Sequence, residues 1–263
     1  LPAGIVPVAV DIAATGARNV LPRELDAVVY CVAANGFSEA AYRTAYVDGL
    51  RRTHDALFAG SEIPERLVFT SSTAVYGQQD GEHVDESSNT EPTGFSGALL
   101  LEGESVALSA PRRACVLRLG GIYGPGRTRM IDAVRGGQAR LPRDGGSIGN
   151  RIHRDDCAGA LAHLLELEAP ERLCVGVDRE PAGERDVLCW IAQRLGMPPP
   201  SEADDATDAA TSGGASRRPR GSKRCSSDRL VASGYAFRFP TFREGYGALI
   251  AAQDHPTRTN ESR

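Results

Sequence analysis

The sequence predicts a doubly wound α/β fold, in which helices cover both faces of a parallel sheet. Two short runs, residues 25–32 and 114–119, are almost entirely apolar, which is typical of strands that are buried on both sides. Segments with apolar residues at helical spacing lie between runs of this kind. Because strands that alternate with helices form β-α-β crossovers, we expect the strands to be parallel.

The first half of the chain supplies two strands, a helix and a third strand. Residues 5–11 are predicted to form a short strand that ends in an acid, and residues 25–32 the next one. Ser38 can cap the following helix, because its hydroxyl can accept from a free backbone N–H group of the first turn. Large side chains recur on one face of that helix: Tyr42, Tyr46, Leu50 and Leu57. The strand at 67–69 then leads into a polar loop at 78–94.

The second half continues the alternation. Its predicted elements are a helix at 96–109, a strand at 114–119, a turn-rich loop at 120–126, a helix from Asp155 or Asp156, a strand at 173–177 and a helix at 184–195. Residues 200–222 are rich in small and polar residues and are predicted to form a mobile loop. Thr241 and Glu244 have the spacing of a capping box, which predicts a last helix.

A basic cluster lies at the end of the predicted mobile loop: Arg217, Arg218, Arg220, Lys223 and Arg224. We interpret it as a solvated surface, with a phosphate-facing patch as the alternative. Formal net charge is −4, so there is no overall basic excess that would suggest nucleic acid as a partner.

Composition limits the classes of function further. No apolar run approaches the ~20 residues that cross a bilayer, and no basic-then-apolar leader opens the chain. We therefore expect a cytoplasmic protein without a membrane partner. The six cysteines form no Cys-x-x-Cys pair and no Cys/His cluster with zinc spacing, so the sequence predicts no metal site.

Residues 66–77 carry the most specific pattern in the chain. A short apolar run ends in Ser-Ser-Thr-Ala-Val-Tyr-Gly, which places hydroxyl groups at the carboxyl end of a predicted strand. Cofactors and substrates bind at that end of an open α/β sheet. The segment resembles the signature of the extended short-chain dehydrogenases/reductases, the NAD-dependent epimerase/dehydratase family. The resemblance implies that Ser72 is catalytic and hydrogen-bonds a reacting hydroxyl or carbonyl, with Ser71 beside the cofactor and Tyr76 beside the substrate.

Two further segments resemble the cofactor-binding turns of this family. Asp11-Ile12 resembles the acid-apolar pair that holds the adenine, and an ordinary strand-end turn explains the pair equally well. Ala33-Ala34 resembles the small-residue turn at which the backbone passes close to the dinucleotide. The resemblance thus implies NAD or NADP as the cofactor, bound in a Rossmann-like fold.

Two later segments resemble the family's substrate elements. Residues 118–126 resemble its Arg-x-x-x-x-Tyr-Gly-Pro loop, which implies substrate contacts for Arg118 and Tyr123 and cofactor contacts at 121–122, that is, Gly121 and Ile122. Residues 150–156 resemble a substrate-lobe element, which implies a substrate contact for His153. A structural pairing of His153 with Asp155 or Asp156 is the alternative.

The catalytic Tyr-x-x-x-Lys pair of the family is not found at its usual place. An alignment of the helix on Pro92, Gly97 and Glu104 puts Ser96 at the tyrosine position and Leu100 at the lysine position. A register one residue earlier offers Phe95 and Leu99. A serine hydroxyl has too high a pKa to act as a base near pH 7. The chain therefore resembles an atypical bacterial branch that keeps the Ser-Ser segment and lacks the pair.

The glycine-rich turn that opens the family pattern and holds the pyrophosphate is also not in the sequence, whose first residue is Leu. We therefore expect an amino-terminal truncation of a longer protein. On this basis residues 1–145 are predicted to be the remainder of the dinucleotide-binding domain. Residues 146–250 are predicted to supply late strands and a small substrate lobe, and residues 251–263 a flexible tail.

Two functions follow from these expectations. The first is an NAD(P)-dependent oxidoreductase or epimerase-like enzyme that acts on a carbonyl or hydroxyl of a small molecule or a nucleotide-sugar. The second is a non-catalytic module of the same fold that binds NAD(P) or a nucleotide-sugar. The retained Ser72 favours the enzyme and the missing pair favours the module; a homodimer is left open for either.

Overall fold

The computed structural model describes residues 4–12, 14, 20–22, 24–58, 63–110, 113–142, 146–203 and 222–254. The chain divides into two compact units. The first unit comprises Leu1–Gly77, Ser88–Arg118 and Leu161–Cys174, and the second comprises Gln78–Ser87, Leu119–Ala160 and Val175–Arg263.

Strands and helices alternate along the chain. The strands are β1 (Ala27–Tyr30), β2 (Arg66–Ser72), β3 (Asp80–Val84), β4 (Arg113–Leu119), β5 (Gly121–Tyr123), β6 (Ile148–Gly149), β7 (Arg151–His153), β8 (Leu173–Gly176), β9 (Ala182–Gly183) and β10 (Ser222–Cys225). The helices are α1 (Glu39–Tyr42), α2 (Gly49–Phe58), α3 (Phe95–Leu108), α4 (Arg129–Arg135), α5 (Arg154–Glu166), α6 (Glu184–Arg194), α7 (Asp228–Ala232) and α8 (Phe242–Asp254).

The predicted parallel α/β fold is confirmed by the central sheet, whose strand order is β1-β2-β4-β8. The register of the parallel pair β1 and β2 runs from Ala27 opposite Arg66 to Tyr30 opposite Phe69. Helices lie between successive strands of this sheet in the sequence. Each connection therefore brings the chain back to the same end of the sheet, which makes the strands parallel. In β2, Leu67 and Phe69 point to one face of the sheet and Val68 to the other, and all three are buried, so both faces are apolar here.

The helical segment after β1 contains a π-helical stretch, Arg43–Asp48, between α1 and α2. Ser38 caps its start as predicted, because the Ser38 hydroxyl accepts from the backbone N–H of Ala41 at 3.2 Å. The hydroxyl of Tyr30 donates to the carbonyl of Ala45 within the π-helical stretch. Gly49 follows, and a Cβ there would lie only 2.8 Å from the Tyr30 hydroxyl oxygen. A strand residue thus fixes the position of this helix.

The second unit holds three two-stranded sheets: β3 with β10 and β5 with β7, both parallel, and β6 with β9, antiparallel. One hydrophobic cluster joins its helices α4, α6 and α8, with Ile131, Ile191 and Phe242 fully buried. The capping box is also confirmed, since the Glu244 carboxylate accepts from Thr241 N at 3.0 Å and the Thr241 hydroxyl accepts from Arg243 N at 3.1 Å.

Four expectations differ from the structure. Gly121–Tyr123, within the turn-rich loop predicted at 120–126, form strand β5, which pairs with β7. Residues 5–11 are not a strand: they pair with no strand in the described ranges, and Val6 is 82% exposed. The polar segment 78–94 is not a continuous loop, because Asp80–Val84 pairs with Ser222–Cys225 as β3 with β10. Lys223 is buried in β10, and the Arg224 guanidinium donates to the carbonyl of Gly81, so this end of the basic cluster is not a solvated surface.

Part of the remaining predictions fall outside the described residues. The rest of the basic cluster and most of the predicted mobile loop lie at 204–221, and most of the predicted tail at 255–263. Helix α8 extends to Asp254, four residues into the segment that was expected to be the tail. Within the described ranges, no helix is both long and apolar enough to cross a membrane, and no group of acidic, His or Cys side chains could hold a metal ion.

Candidate functional site

The carboxyl end of β2 carries two serines that face opposite ways. Successive residues of a strand point to opposite faces, and accordingly Ser71 is buried whereas Ser72 is half-buried. The Ser71 hydroxyl donates to Oε1 of Glu104 at 2.6 Å. The alternation therefore sends one hydroxyl into the core and leaves the next at the sheet edge.

Glu104 and Arg118 form a buried ion pair below this strand end. Arg118 donates from Nε to Oε1 of Glu104 at 2.9 Å and from Nη2 to Oε2 at 2.7 Å, a two-pronged geometry that holds both groups firmly. The third guanidinium nitrogen, Nη1, donates to the hydroxyl of Tyr76 at 2.9 Å. We call Ser71, Tyr76, Glu104 and Arg118 the polar network.

The polar network fixes the charge of its arginine. Burial by itself lowers the pKa of Arg118, but the hydrogen bonds and charge of Glu104 outweigh burial, and the net pKa is raised above its ordinary value. Glu104 is 5% exposed and Arg118 is 4% exposed. An ion pair buried to this degree is retained only where hydrogen bonds satisfy both partners, as they do here.

Ser72 lies between two members of the polar network along the chain. Its Oγ accepts from the backbone N–H of Ala74 at 3.2 Å and so caps the short 3-10 turn Thr73–Val75. A hydroxyl that accepts in this way keeps its own hydrogen for donation to another group. Gly97 of α3 packs against the same turn, where a Cβ would lie 2.6 Å from the carbonyl oxygen of Ala74.

The positions matched to the missing pair hold no charge. Ser96 is half-buried in the first turn of α3, and Leu100 is 4% exposed. In the alternative register, Phe95 is half-buried and Leu99 is also 4% exposed. Both registers therefore place apolar side chains where the family has its lysine.

Among the residues of the first unit that were predicted to bind the cofactor, Ser71 belongs to the polar network. The others, Asp11, Ile12, Ala33 and Ala34, do not. Asp11 is exposed, and its carbonyl accepts from Ala14 N at 3.0 Å in a turn, which favours the ordinary-turn interpretation. Ile12 packs beside Gly49 of α2. Ala33 is exposed and Ala34 half-buried in the segment after β1, so their small side chains leave room beside the sheet edge.

In the second unit, Tyr123 and His153 end the paired strands β5 and β7 and lie in register. The ring of His153 meets Tyr123 edge to face at 5.4 Å and lies 4.0 Å from Phe239, and Tyr123 stacks on Tyr246 at 4.4 Å. We call these four residues the aromatic box. The other two predicted residues of β5 are less enclosed, since Gly121 is exposed and Ile122 half-buried.

Burial shifts the pKa of both titratable residues in the aromatic box. Burial lowers the pKa of His153, while the nearby carboxylates of Asp155 and Asp156 oppose this shift. The Nδ1 atom of His153 accepts from the backbone N–H of Asp155 at 3.1 Å, which assigns the neutral ring with its hydrogen on Nε2. Burial likewise raises the pKa of Tyr123 well above its usual range, so that it stays protonated.

Asp178 lies near the aromatic box and was not found from the sequence. It is 1% exposed, and burial raises the pKa of its carboxyl to about 7. Its Oδ1 accepts from Glu180 N at 3.2 Å. Neither Oδ2 of Asp178 nor the hydroxyl of Tyr123 has a hydrogen-bond partner among the described residues. The local sequence does not signal this, because the largest cause of the raised pKa is burial, to which the charges of Glu180 and Glu244 add.

Glu104 was used in the sequence only to align α3, although a signal for its role was present. It lies four residues after Leu100, on a helix face that is otherwise apolar and small. A carboxylate on such a face needs a buried cation, and Arg118 in the next strand is the arginine closest in sequence that the core could hold. The network therefore joins three predicted site residues, Ser71, Tyr76 and Arg118, through one that was missed.

Comparison with known proteins decides the family. The model of the NAD dependent epimerase/dehydratase family matches residues 6–176, more than half of the 263-residue chain. The chain belongs to this family. The parallel central sheet agrees with the fold of solved structures similar to this chain.

Proteins similar to this chain match it over different lengths. A solved structure from Methylobacillus flagellatus, named for the NAD-dependent epimerases/dehydratases, is 34% identical, with a TM-score of 0.75, over 97% of this chain and 86% of that one. The 3-diazoavenalumate denitrifying reductase of a Streptomyces species is 36% identical over 104 residues. That match spans 38% of this chain and 34% of the reductase.

A second solved structure with a similar fold contains ligands. MoeE5 in complex with UDP-glucose and NAD is 21% identical to this chain, with a TM-score of 0.77, and the match covers 95% of this chain and 85% of that one. At this identity the likeness concerns the fold alone. The fold of this chain is thus one that binds a nicotinamide dinucleotide in other proteins.

Proposed function

We propose that the protein is an NAD(P)-dependent oxidoreductase that acts on a carbonyl or hydroxyl carbon. The observation that carries the proposal is the arrangement at the end of β2. The half-buried hydroxyl of Ser72 follows directly after Ser71, which the buried Glu104–Arg118 pair holds in place. Because the neighbouring Ser71 is fixed by its hydrogen bond to Glu104, the backbone that carries the Ser72 hydroxyl keeps its position while a substrate reacts.

Ser72 would act by hydrogen bonding. When a carbonyl is reduced, negative charge develops on its oxygen, and a fixed hydroxyl donor stabilises that charge more in the transition state than in the ground state. Loss of one such donor reduces kcat by roughly 10²–10³-fold in enzymes with comparable sites. Ser72 is not assigned as the base, because the pKa of an ordinary hydroxyl is too high.

The described residues fit the nicotinamide end of the cofactor. Ala33 is exposed after β1, and Ala34 takes part in the turn that Gly36 N closes on Ala34 O at 3.0 Å. These two alanines would lie beside the cofactor, with Ser71 and Ser72 at the end of the next strand. The cofactor, when bound, supplies or accepts the hydride.

The substrate class within this proposal is supported by relatives whose names state a ligand. MoeE5 binds UDP-glucose together with NAD, and the Streptomyces relative is a reductase. Because the reductase match spans only about a third of that protein, its activity is not transferred as a whole. A carbonyl-bearing small molecule or a nucleotide-sugar is the proposed substrate.

A second candidate function is a non-catalytic module that binds NAD(P). It is favoured by one observation: Leu100, at the lysine position, is 4% exposed within α3 and offers neither charge nor hydrogen bond. The hydroxyl of Ser96 is a poor substitute for a tyrosine phenol as a proton donor.

Hydride transfer tests the two functions against each other. NADH or NADPH is supplied with a panel of aldehydes, ketones and nucleotide-sugars, and oxidation is followed at the absorbance of the reduced cofactor. We expect turnover by the wild type and a loss of roughly 10²-fold or more in kcat for Ser72→Ala, with cofactor binding retained. Ser105→Ala is the matched control, because Ser105 is exposed on α3 and bonds only to Leu101 O. Cofactor binding without turnover on any substrate would favour the non-catalytic module.

A further inference from the structure

A group of four aromatic rings in the first unit has no part in the proposal above: Phe37, Tyr42, Tyr46 and Phe95. The centroid of the Phe37 ring lies 5.0 Å from that of Phe95 and 5.7 Å from that of Tyr42. Tyr42 and Phe95 meet edge to face at 5.5 Å, and Tyr42 lies 5.1 Å from Tyr46. Three of the rings thus form a closed triangle. We call the four the aromatic platform.

The rings of the platform differ in exposure. Tyr42 is 6% exposed and belongs to the core, whereas Phe37 is 42% exposed. The Phe37 ring is therefore partly accessible to solvent, while the Tyr42 and Phe95 rings contact it. An aromatic surface that is already ordered can bind a flat ring with little further loss of conformational entropy.

The platform adjoins both parts of the proposed site in the first unit. Ala34, which is proposed to lie beside the cofactor, packs against Tyr42 and its neighbours. Phe95 begins α3, and two residues later Gly97 lies against the Ala74 carbonyl in the turn that Ser72 caps. Tyr42 and Phe95 thus connect Phe37 with the segment after β1 and with the turn that Ser72 caps.

We propose that the aromatic platform binds an aromatic ring of the substrate, and that the substrate class is an aryl aldehyde, aryl ketone or the corresponding alcohol. This inference rests on the proposed function. A saturated ring of the same size has no π face and loses the ring-to-ring contribution.

Two aldehydes of similar size test the inference directly: benzaldehyde and cyclohexanecarbaldehyde, each with NADH and NADPH. The measured quantity is the ratio of kcat/KM for benzaldehyde to kcat/KM for cyclohexanecarbaldehyde. Phe37→Leu keeps an apolar side chain and should lower this ratio by roughly 2- to 13-fold relative to the wild type, the factor that one aromatic pair contributes. Phe58→Leu is the control, because it removes a ring that stacks on His54 in α2, outside the platform, and should retain the wild-type ratio. Equal ratios in the wild type and Phe37→Leu would overturn the inference and leave the proposed function standing.

A second measurement distinguishes failure of the platform inference from failure of the proposed function. If the wild type reduces neither aldehyde, saturation-transfer NMR with benzyl alcohol and cyclohexylmethanol follows binding without chemistry. Binding that prefers the aryl ligand and disappears in Phe37→Leu would uphold the platform while the proposed function fails. Equal binding of the two ligands would overturn the inference that the platform binds an aromatic ring.

Sedimentation velocity tests whether Phe37 instead contacts a second copy of the chain. If Phe37→Leu changes self-association and leaves the ratio of kcat/KM values for the two aldehydes unchanged, the inference is wrong.

Discussion

The polar network of the first unit and the aromatic box of the second bury polar groups in opposite ways. In the polar network, Glu104 and Arg118 satisfy each other and reach Ser71 and Tyr76 through further hydrogen bonds. Near the aromatic box, the Asp178 Oδ2 atom has no such partner in the described part of the chain. Satisfied buried groups hold a geometry, whereas an unsatisfied buried carboxyl imposes a cost that depends on pH.

The difference assigns different tasks to the two regions. The polar network holds the strand end that presents Ser72, so it belongs to the proposed chemistry. The aromatic box holds Tyr123 and His153 neutral and enclosed, which suits shaping and packing rather than proton transfer at neutral pH. Removal of one group from each region tests this distinction.

The largest effect is expected from Arg118→Leu, which leaves the Glu104 carboxylate buried without its cation. We expect a loss of about 3–5 kcal/mol in the free energy of unfolding, measured by urea denaturation. Arg51→Leu is the matched control, because Arg51 bonds to Glu102 on the same helix α3 at 2.9 Å but its side chain is 53% exposed. There the loss should be about 1 kcal/mol or less. Similar losses in the two variants would contradict the role given to the polar network.

The next effect is a pH dependence that Asp178→Asn should remove. Because burial raises the pKa of Asp178 to about 7 from an ordinary value of 3.8, the folded state binds more protons than the unfolded state between these values. The contribution of this carboxyl to stability is therefore present at low pH and is lost as pH rises towards 7, by up to about 4 kcal/mol. The difference in unfolding free energy between wild type and variant, measured from pH 4 to 8, should change by this amount. A difference that is constant with pH would show that Asp178 titrates normally.

A smaller effect is expected where α8 meets the aromatic box. A Cβ on Gly245 would overlap the hydroxyl of Tyr123, so Gly245→Ala should reduce the unfolding free energy by about 1–3 kcal/mol. Gly247→Ala is the control on the same helix, because its Cβ would meet only Trp190 at 3.7 Å. That variant should gain about 0.5–1 kcal/mol in unfolding free energy from helix propensity. The double variant Tyr123→Phe, Gly245→Ala should recover only part of the loss, because ring carbons Cζ and Cε2 of residue 123 would still lie 2.6 and 2.7 Å from the added Cβ. Equal unfolding free energies for Gly245→Ala and Gly247→Ala would contradict the predicted clash.

Much of the fold could be predicted because its signals are local. The apolar runs at β1 and β4, the Ser38 cap and the Thr241–Glu244 capping box all depend on residues within a few positions of one another. The strand expected at 5–11 was wrong because an apolar, alternating run forms a strand only where a neighbouring strand can pair with it. The strand β3 was missed for the converse reason, since its partner β10 lies more than a hundred residues later.

The same distinction between local and long-range signals applies to the candidate site. By itself, the sequence determined that a hydroxyl, Ser72, stands at the carboxyl end of a buried strand, because strand period and position follow from local composition. Only the tertiary structure decided that Glu104 and Arg118 anchor that strand end, that Asp178 is buried without a full set of partners, and that Phe37 lies exposed above other rings. The physical reason is that the pairing and desolvation of these groups depend on which helices and strands pack together. Local spacing along the chain does not determine which elements pack together.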